Sequence, residues 1–454
     1  MEPIDLAFRF GPIMNKLHGT QFSNRFWARY LIPYARACVR QRKWFEEPSL
    51  HTPVPFLPIL GPEPCSEAEA RNSLAQEILR NISVAIKSVS TKTNLERGSD
   101  AICYGVRADV VSESCDAVSV KLYWLPSYFK KKREARGQLN QISQRQEEVF
   151  FRNVLKFMPS AYVEYHESLQ KKAEAFLLEK NPSAIYYEHY RTHIQRLTSF
   201  LASEKGAELR NVQGGFLRED AGYIHKAKRL ETDKFLTYGW KFTDQDEPFY
   251  AIRLEEYAQA YIEATSQRKE IDLLVVYNAL NTPEKKKACI ETAECLSKNL
   301  DRIKYRNVTL RPRGRSRYLS SRSSITKLGI PCDLDVDAGM RPMPKLAARS
   351  RVTLHIEYPA TNFLECIFVG HPVMAVLGEY ELGGVAAGFI DEFRRLGLWH
   401  DNLHELVQFL NGIRLETWWA EVENSRAFNE FRETFARSRA SYEREEGIGS
   451  GAVQ

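Results

Sequence analysis

The stretch VTLHIEYPATNFLECIFVGHPVMAVL, residues 352–377, decides the fold. Val352 to Ile356 is an apolar run of strand length and Val373 to Leu377 is another. Between them Asn362 can cap a helix, with Glu365 three residues on completing a capping box, and Gly370 followed by Pro372 ends it. IDLLVVY (Ile271–Tyr277) and Val308 to Arg311 are further apolar runs upstream, separated by helical segments. Such alternation predicts a parallel, doubly wound sheet. One intervening helix should carry Cys289, Ala293, Leu296, Leu300 and Ile303 on a single face. A helix that starts at the carboxyl end of a parallel strand offers unspent N–H groups and the positive end of its dipole, which suits a phosphate. An ordinary strand-loop-helix-strand unit with nothing bound fits the same spacing.

The first half reads as helices with a few strands. Met14 to Arg42 is helical, and Pro53, Pro55, Pro58, Pro62 and Pro64 then impose an extended loop. Helices follow over Glu67 to Ile86, Gln138 to Lys156 and His189 to Lys205, with strands at Val118 to Trp124, Ala184 to Tyr187 and Leu209 to Gln213. The expected organisation is a helix-rich α/β domain over residues 1–240, a linker over 241–250, a Rossmann-like domain over 251–440 and a disordered tail over 441–454. Leu415 to Phe435 reads as one terminal helix whose aromatic face, Trp418, Trp419, Phe428, Phe431 and Phe435, docks as core.

Composition agrees with two folded domains. The 454 residues exceed the roughly 250–300 at which one core stops growing. Hydrophobic residues at 43% and charged residues at 27% are globular proportions. The net charge of +6, from 64 basic and 58 acidic residues, permits anionic ligands or an anionic membrane surface without the concentrated stripe of a nucleic-acid binder. Lys130 to Arg133 reads as a solvated helix start. Eight cysteines without a CxxC spacing suggest neither zinc knuckle nor disulfide framework and fit a reducing cytoplasm. No leader-like segment is evident, and no apolar run approaches the roughly 18 residues that span a bilayer.

Two further segments could carry chemistry. In TLRPRGRS (Thr309–Ser316), Arg311, Arg313 and Arg315 alternate and would converge on one side of an extended chain, where they could neutralise a departing diphosphate. A basic surface loop fits equally well. With Arg302, Lys304, Arg306, Arg317 and Arg322 the segment also permits a nucleic-acid patch, but only Tyr305 and Tyr318 are interleaved for stacking. LRNVQGGFLRED (Leu209–Asp220) runs a strand into Gln213, Gly214 and Gly215 and then into Glu219 and Asp220. Paired glycines let backbone approach a ligand, and a nearby carboxylate could deprotonate an acceptor hydroxyl; a plain turn with solvated acids is the other reading. The pairs His189/His193 and His400/His404 would each share a helical face, but no third ligand is placed, so no metal is expected. Asp333 to Asp337 fits a loop better than a metal-binding DxD. There is no GxSxG, Walker motif or GxGxxG.

Taken in order, MNKLHGTQFSNRFWARYLIPY (Met14–Tyr34), GAELRNVQGG (Gly206–Gly215), DKFLTYGWKF (Asp233–Phe242), RPRGRS (Arg311–Ser316), EYPATNFLECIFVGHPVM (Glu357–Met374) and the Trp418-Trp419 pair resemble a family of transferases encoded beside bacterial O-antigen and related surface-carbohydrate genes. The resemblance implies a GT-B glycosyltransferase fold, two Rossmann-like domains facing a cleft. Residues 357–377 look like the donor-site helix of that fold, in which Glu365 would meet the ribose while Thr361, Asn362, Arg311, Arg313, Arg315 and Ser316 would meet the phosphates. Glu357 and Glu365 also match an E-x7-E spacing known in retaining enzymes of this fold, a spacing that arises easily by chance.

The implied function is transfer of a sugar from a nucleotide-activated donor to a glycan or lipid-linked glycan. It would proceed without metal or other cofactor and without nucleic acid, in the cytoplasm with peripheral contact at the inner membrane. His18, Glu219 or Asp220 would serve as base. Family members usually carry Q-H-G-G where this chain has Val212-Gln213-Gly214-Gly215, so Gln213 is expected to replace a histidine. The chain also begins close to the LNxxHG-like segment, so its first domain is expected to be shortened. Both departures point to a second reading, a catalytically degenerate member that binds a sugar nucleotide or a partner subunit. A third reading is an anionic-membrane or nucleic-acid binder working through Lys130–Arg133 and Arg302–Arg322.

Overall fold

The computed structural model describes residues 2–40, 101–104, 117–119, 133–156, 158, 162–163, 165–188, 193–215, 229–265, 269–277, 283–312, 331, 333–337, 341–356, 361–376 and 384–446. The chain divides into two compact units, Met1–Val212 with Tyr223–Phe235, and Gln213–Gly222 with Leu236–Gln454. Residues 213–222 and 236–240, expected in the first domain, therefore group with the second. Residues 241–250 are not a loose linker: Asp246 is buried and accepts hydrogen bonds from the backbone N–H groups of Phe242 (3.0 Å) and Thr243 (2.7 Å), and it opens a short strand.

In the first unit, helices α1 (Pro3–His18) and α2 (Asn24–Arg40) replace the single helix expected from Met14. Gly19, at φ 65°, ends α1 in the left-handed region that glycine adopts without strain. Ser23 Oγ then caps α2 by accepting from the Phe26 N–H at 2.9 Å. The expected helix from Gln138 to Lys156 is likewise two, α3 (Arg133–Gln144) and α4 (Val149–Lys156). α5 (His166–Lys180) and α6 (His193–Glu204) complete the helices described here. Leu6, Phe10, Met14 and Leu17 recur at helical spacing along α1 and bury its inner face together with Trp27, Tyr30 and Tyr34 of α2.

The strands are β1 (Ala101–Tyr104), β2 (Ala117–Ser119), β3 (Ala184–Tyr187), β4 (Glu208–Val212) and β5 (Lys234–Thr237), in the sheet order β2-β1-β3-β4-β5, and β6 (Asp246–Pro248) falls among the residues that group with the second unit. β2-β1, β1-β3 and β3-β4 pair in parallel.

The second unit is more regular. α7 (Ile252–Thr265) leads into β7 (Ile271–Tyr277), α8 (Pro283–Asn299), β8 (Val308–Pro312), β9 (Asp335–Val336), α9 (Met343–Ala348), β10 (Ser350–His355), α10 (Thr361–Phe368) and β11 (Val373–Val376). α11 (Gly384–Ala387), α12 (Ile390–Arg395), β12 (Trp399–His400), α13 (Leu403–Gly412), α14 (Leu415–Asn424), α15 (Arg426–Phe435) and α16 (Arg439–Glu445) follow. The sheet order is β12-β11-β10-β7-β8-β9, and every neighbouring pair is parallel. Counted from β7 as the first strand, this is the 3-2-1-4-5-6 order of a Rossmann sheet. Both units are thus α/β and Rossmann-like, as the alternation of apolar runs implied for the second and the family resemblance for the pair.

Several local expectations change. α8 stops at Asn299, and Asp301 Oδ1 accepts from the N–H groups of Ile303 and Lys304, so Cys289, Ala293, Leu296 and Leu300 are buried while Ile303 is 83% exposed. Asp335 and Val336 form edge strand β9 instead of a loop. Ser425 breaks the terminal aromatic helix by capping α15, its Oγ accepting from the Phe428 N–H. Its aromatic face is core: Trp418, Trp419, Phe428, Phe431 and Phe435 are all buried. The expected tail is helical as far as Glu445, and residues 447–454 lie outside the described residues.

Candidate functional site

In a doubly wound sheet the crevice for a ligand lies at the carboxyl ends of the strands, where the winding reverses. Here the reversal falls between β7 and β10, so Tyr277 and Ile356 mark the place. α10, the next described element after β10, begins at Thr361, and the N–H groups of its first turn have no acceptors within the helix. The cap differs from the expected one. Thr361 is already helical, so Asn362 lies inside the first turn and no Asn362–Glu365 capping box forms.

The far end of α10 closes as read. Gly370 sits at φ 68°, its N–H donates to Ile367 O, and the His371 N–H donates to Cys366 O, a Schellman termination. Trp419 Nε1 donates to Gly370 O at 3.1 Å and ties this end to α14. Beneath it His371 is fully buried, with Nδ1 3.1 Å from the Tyr261 hydroxyl and Nε2 2.9 Å from Thr353 Oγ1. Burial, then Lys269 and His355, holds its pKa down to about 3, so the ring is neutral.

The glycine turn arrives at the other end of the same helix, and within the same unit. A Cβ built at Gly215 would fall inside contact distance of Thr361 Oγ1, with Thr361 Cβ and Cγ2 at 3.6 Å; a side chain here would have to displace the Thr361 hydroxyl or lift this backbone from the start of α10. Gln213 holds the turn. Its side chain is buried, its Oε1 accepts from the Tyr238 N–H (2.9 Å) and from Trp240 Nε1 (3.0 Å), and its Nε2 donates to Gly215 O (2.8 Å). Its backbone N–H donates to Leu236 O. Arg253, at the start of α7, donates from Nη1 to Gly214 O at 3.1 Å. That exposed arginine brings positive charge to the turn, and sequence reasoning missed it because the approach of α7 to the turn is tertiary.

Other expected residues fare differently. Arg311 is an ion-pair partner of buried Asp337, which Arg341 Nε also meets at 3.2 Å, so its charge is already matched inside the fold. Glu365 shares the Thr361 face of α10 but is only 8% exposed. Burial, then Cys366 and this carboxylate, push the Tyr257 hydroxyl well above 10. Arg313, Arg315, Ser316, Glu219, Asp220 and Glu357 lie outside the described residues, as do His189 and Lys130–Lys132. His400 is in β12 and His404 in α13, so they share no helical face. Lys304, one of the basic residues of the expected patch, is spent on the carbonyls that end α13, Leu410 O at 2.7 Å among them.

In the first unit, His18 Nε2 lies 3.0 Å from Tyr162 O. A carbonyl only accepts, so Nε2 carries the proton and any base function falls to Nδ1. The ring stacks on Trp27 and lies 4.4 Å, centroid to centroid, from His166, whose pKa burial and then His18 hold well below 6.5. The same unit has a cavity of about 390 Å³ lined by Arg25, Arg29, Ser203, Glu204, Glu208 and Asp233 among others. It sits at the amino ends of β4 and β5, whereas doubly wound sheets take ligands at the carboxyl ends, and its charges are mutually satisfied. Arg29 donates to Leu230 O, Ser203 Oγ and Asp233 Oδ1, while Asp233 Oδ2 accepts from the Leu209 N–H. Among the described residues no group of three or more His, Cys, Asp or Glu could hold a metal, and no helix is long and apolar enough to cross a membrane.

Solved structures with similar chain paths include Anabaena Alr3699/HepE in complex with UDP and glucose, at 13% identity and a TM-score of 0.40 over 78% of this chain and 100% of that one. The UDP-GlcNAc 2-epimerase of Neisseria meningitidis bound to UDP-GlcNAc gives 11% and 0.37 over 77% and 97%. MurG of Acinetobacter baumannii gives 10% and 0.33 over 63% and 78%. No curated protein matches the sequence. Residues 65–445 match the model of the LIC12162 family transferase, and the chain belongs to that family of transferases.

Proposed function

We propose that this transferase is a GT-B-type glycosyltransferase whose second unit holds a nucleotide-activated sugar at the β7/β10 reversal. The observation that carries the reading is the approach of Gly215 to Thr361, which brings a glycine turn, a helix amino terminus and Arg253 together at the carboxyl ends of a Rossmann sheet. The diphosphate is met by the first-turn N–H groups of α10, by Thr361 and Asn362, and by Arg253, with Arg313, Arg315 and Ser316 added from the sequence that follows β8. Glu365, one turn along the Thr361 face, takes the ribose hydroxyls.

As the glycosidic bond to the nucleotide breaks, negative charge grows on the departing phosphate, and fixed N–H dipoles and guanidinium groups stabilise it without reorganising. No metal has a part in this scheme. The acceptor is a glycan or lipid-linked glycan of a surface polysaccharide, handled at the cytoplasmic face of the inner membrane. Its hydroxyl proton goes to Nδ1 of His18 or to Glu219 or Asp220.

The test is a thermal-shift screen against UDP-, GDP-, CDP-, dTDP- and CMP-linked sugars, repeated with Arg253→Ala and Glu365→Ala. A donor at about 100 times its Kd should add about 2.7 kcal/mol of stability, and both substitutions should remove the gain. A folded protein that answers to none of the five nucleotide classes would sink the reading.

A further inference from the structure

The family pattern casts Gln213 as the remnant of a lost histidine, yet the side chain makes three hydrogen bonds, through both its oxygen and its nitrogen. A neutral imidazole offers one donor and one acceptor site, whereas this amide accepts twice at Oε1, from the Tyr238 N–H and Trp240 Nε1, and donates from Nε2 to Gly215 O. All three bonds are made at 1% exposure, where an unmade bond is costly. The two donors come from the strand-end segment Tyr238–Trp240, and the acceptor is the residue whose backbone lies against Thr361. Between them, the Gly214 carbonyl receives Arg253. The amide therefore links the strand end directly to Gly215, next to the Gly214 carbonyl that Arg253 meets.

We propose that Gln213 is a positioning residue, which fixes the Gly214–Gly215 turn so that Arg253 and the amino terminus of α10 converge on the phosphates of a nucleoside diphosphate. This rests on the donor-site reading above and adds to it the residue that sets the geometry. It also removes one of the two grounds for reading the chain as degenerate, since Gln213 acts through the turn and need not touch the substrate.

Gln213→Glu isolates the effect. The carboxylate is isosteric and still accepts from Tyr238 and Trp240, but at neutral pH it faces the Gly215 carbonyl without a proton to donate. UDP, GDP, CDP and dTDP are titrated into the full-length wild type by calorimetry, and the one that binds is carried forward. Gln213→Glu should weaken its binding about tenfold, the size of one lost bond with added repulsion. Lowering the pH from about 8 to about 5 should restore part of that loss relative to wild type, because burial at this position raises a carboxyl's pKa above its ordinary range and the protonated acid can donate to Gly215 O. In an Arg253→Ala background the same substitution should cost only about threefold, because the group it positions is gone.

A lowered melting temperature with unchanged nucleotide affinity would reduce Gln213 to a structural residue and overturn the proposal, as would a loss of affinity that ignores both pH and Arg253. If Gln213→Glu does not fold, Arg253→Ala alone decides: its side chain is exposed, so a folded variant with wild-type affinity would overturn the convergence claimed here. Failure of wild type to bind any of the four nucleotides would refute the donor-site reading itself, a different result from wild-type binding that Gln213→Glu leaves intact.

Discussion

Gly215→Ala is the most direct perturbation of the candidate site. The new Cβ would lie closer than the 3.0 Å that real Cβ atoms respect to Thr361 Oγ1, while the remaining Thr361 atoms stand at an ordinary 3.6 Å. A single oxygen is therefore in the way, and either Thr361 turns about χ1 or the glycine turn retreats against the bonds of Gln213. Overpacking of this kind costs about 1–3 kcal/mol. A displacement of the turn carries Arg253 and the Gly215 backbone with it, so nucleotide affinity should fall about 10- to 30-fold, roughly 1.4–2 kcal/mol. Thr361→Ala removes the obstructing oxygen, and in that background Gly215→Ala should cost only a few tenths of a kcal/mol, leaving a coupling of about 1–2 kcal/mol. Calorimetric titration of wild type, both single variants and the double variant measures the cycle directly. Strict additivity, or wild-type affinity in Gly215→Ala, would refute the claim that these two residues form one site.

Arg311→Ala should act on stability, because it removes an ion-pair partner of the Asp337 carboxylate, which is only 2% exposed; about 2–3 kcal/mol should be lost in denaturant unfolding, with nucleotide affinity in the surviving folded protein little changed. Gln213→His should destabilise by about 1–2 kcal/mol, since one ring cannot serve three partners, and a rise in melting temperature or turnover would contradict the geometry. Gly239→Ala should be worse, because φ is 131° and the new Cβ would press on the Glu433 carbonyl, with Thr434 O at 3.1 Å; soluble yield and melting temperature report it. Acid should weaken the fold through His371. The unfolded chain takes up a proton below about pH 6.5 that the folded one refuses until about pH 3, so stability falls by about 1.4 kcal/mol per pH unit across that window, and His371→Gln should flatten the melting temperature's slope between about pH 7 and pH 5.

The parallel strands of the second unit were legible because residues 273–277, 352–356 and 373–376 are buried on both faces, and 273–277 and 373–376 carry their apolar character in an unbroken run, interrupted in 352–356 only by Thr353 and His355. Helix ends were less so. Ile303 fits the spacing of Cys289, Ala293, Leu296 and Leu300, but an aspartate side chain bonding the backbone at Asp301 ended the helix first, and Ser425 did the same within 415–435. At the site, Thr361 and the paired glycines could be read from local chemistry, whereas their contact could not, since it joins residues 146 positions apart in the chain. Arg311 looked available because charge is visible in a sequence and its partner, Asp337, lies a strand away. Gln213 looked like a loss because a motif records which residue is usual, while its three bonds depend on Tyr238, Trp240 and Gly215 arriving together.

The chain passes from the first unit to the second at residue 213, returns at 223 and leaves again at 236. Neither unit can then be released by one cut. A fragment beginning at residue 241 would lack the glycine turn, Tyr238 and Trp240, and one ending at residue 212 would lack Asp233, the partner that Arg29 and the Leu209 N–H share. During synthesis the turn at 213–215 emerges nearly 150 residues before the helix it rests on, so the site nearest the proposed chemistry cannot close until that helix has been made. Truncations meant to isolate a donor-binding half should instead keep residues 213–222 and 236–454 together, the intervening return replaced by a short linker.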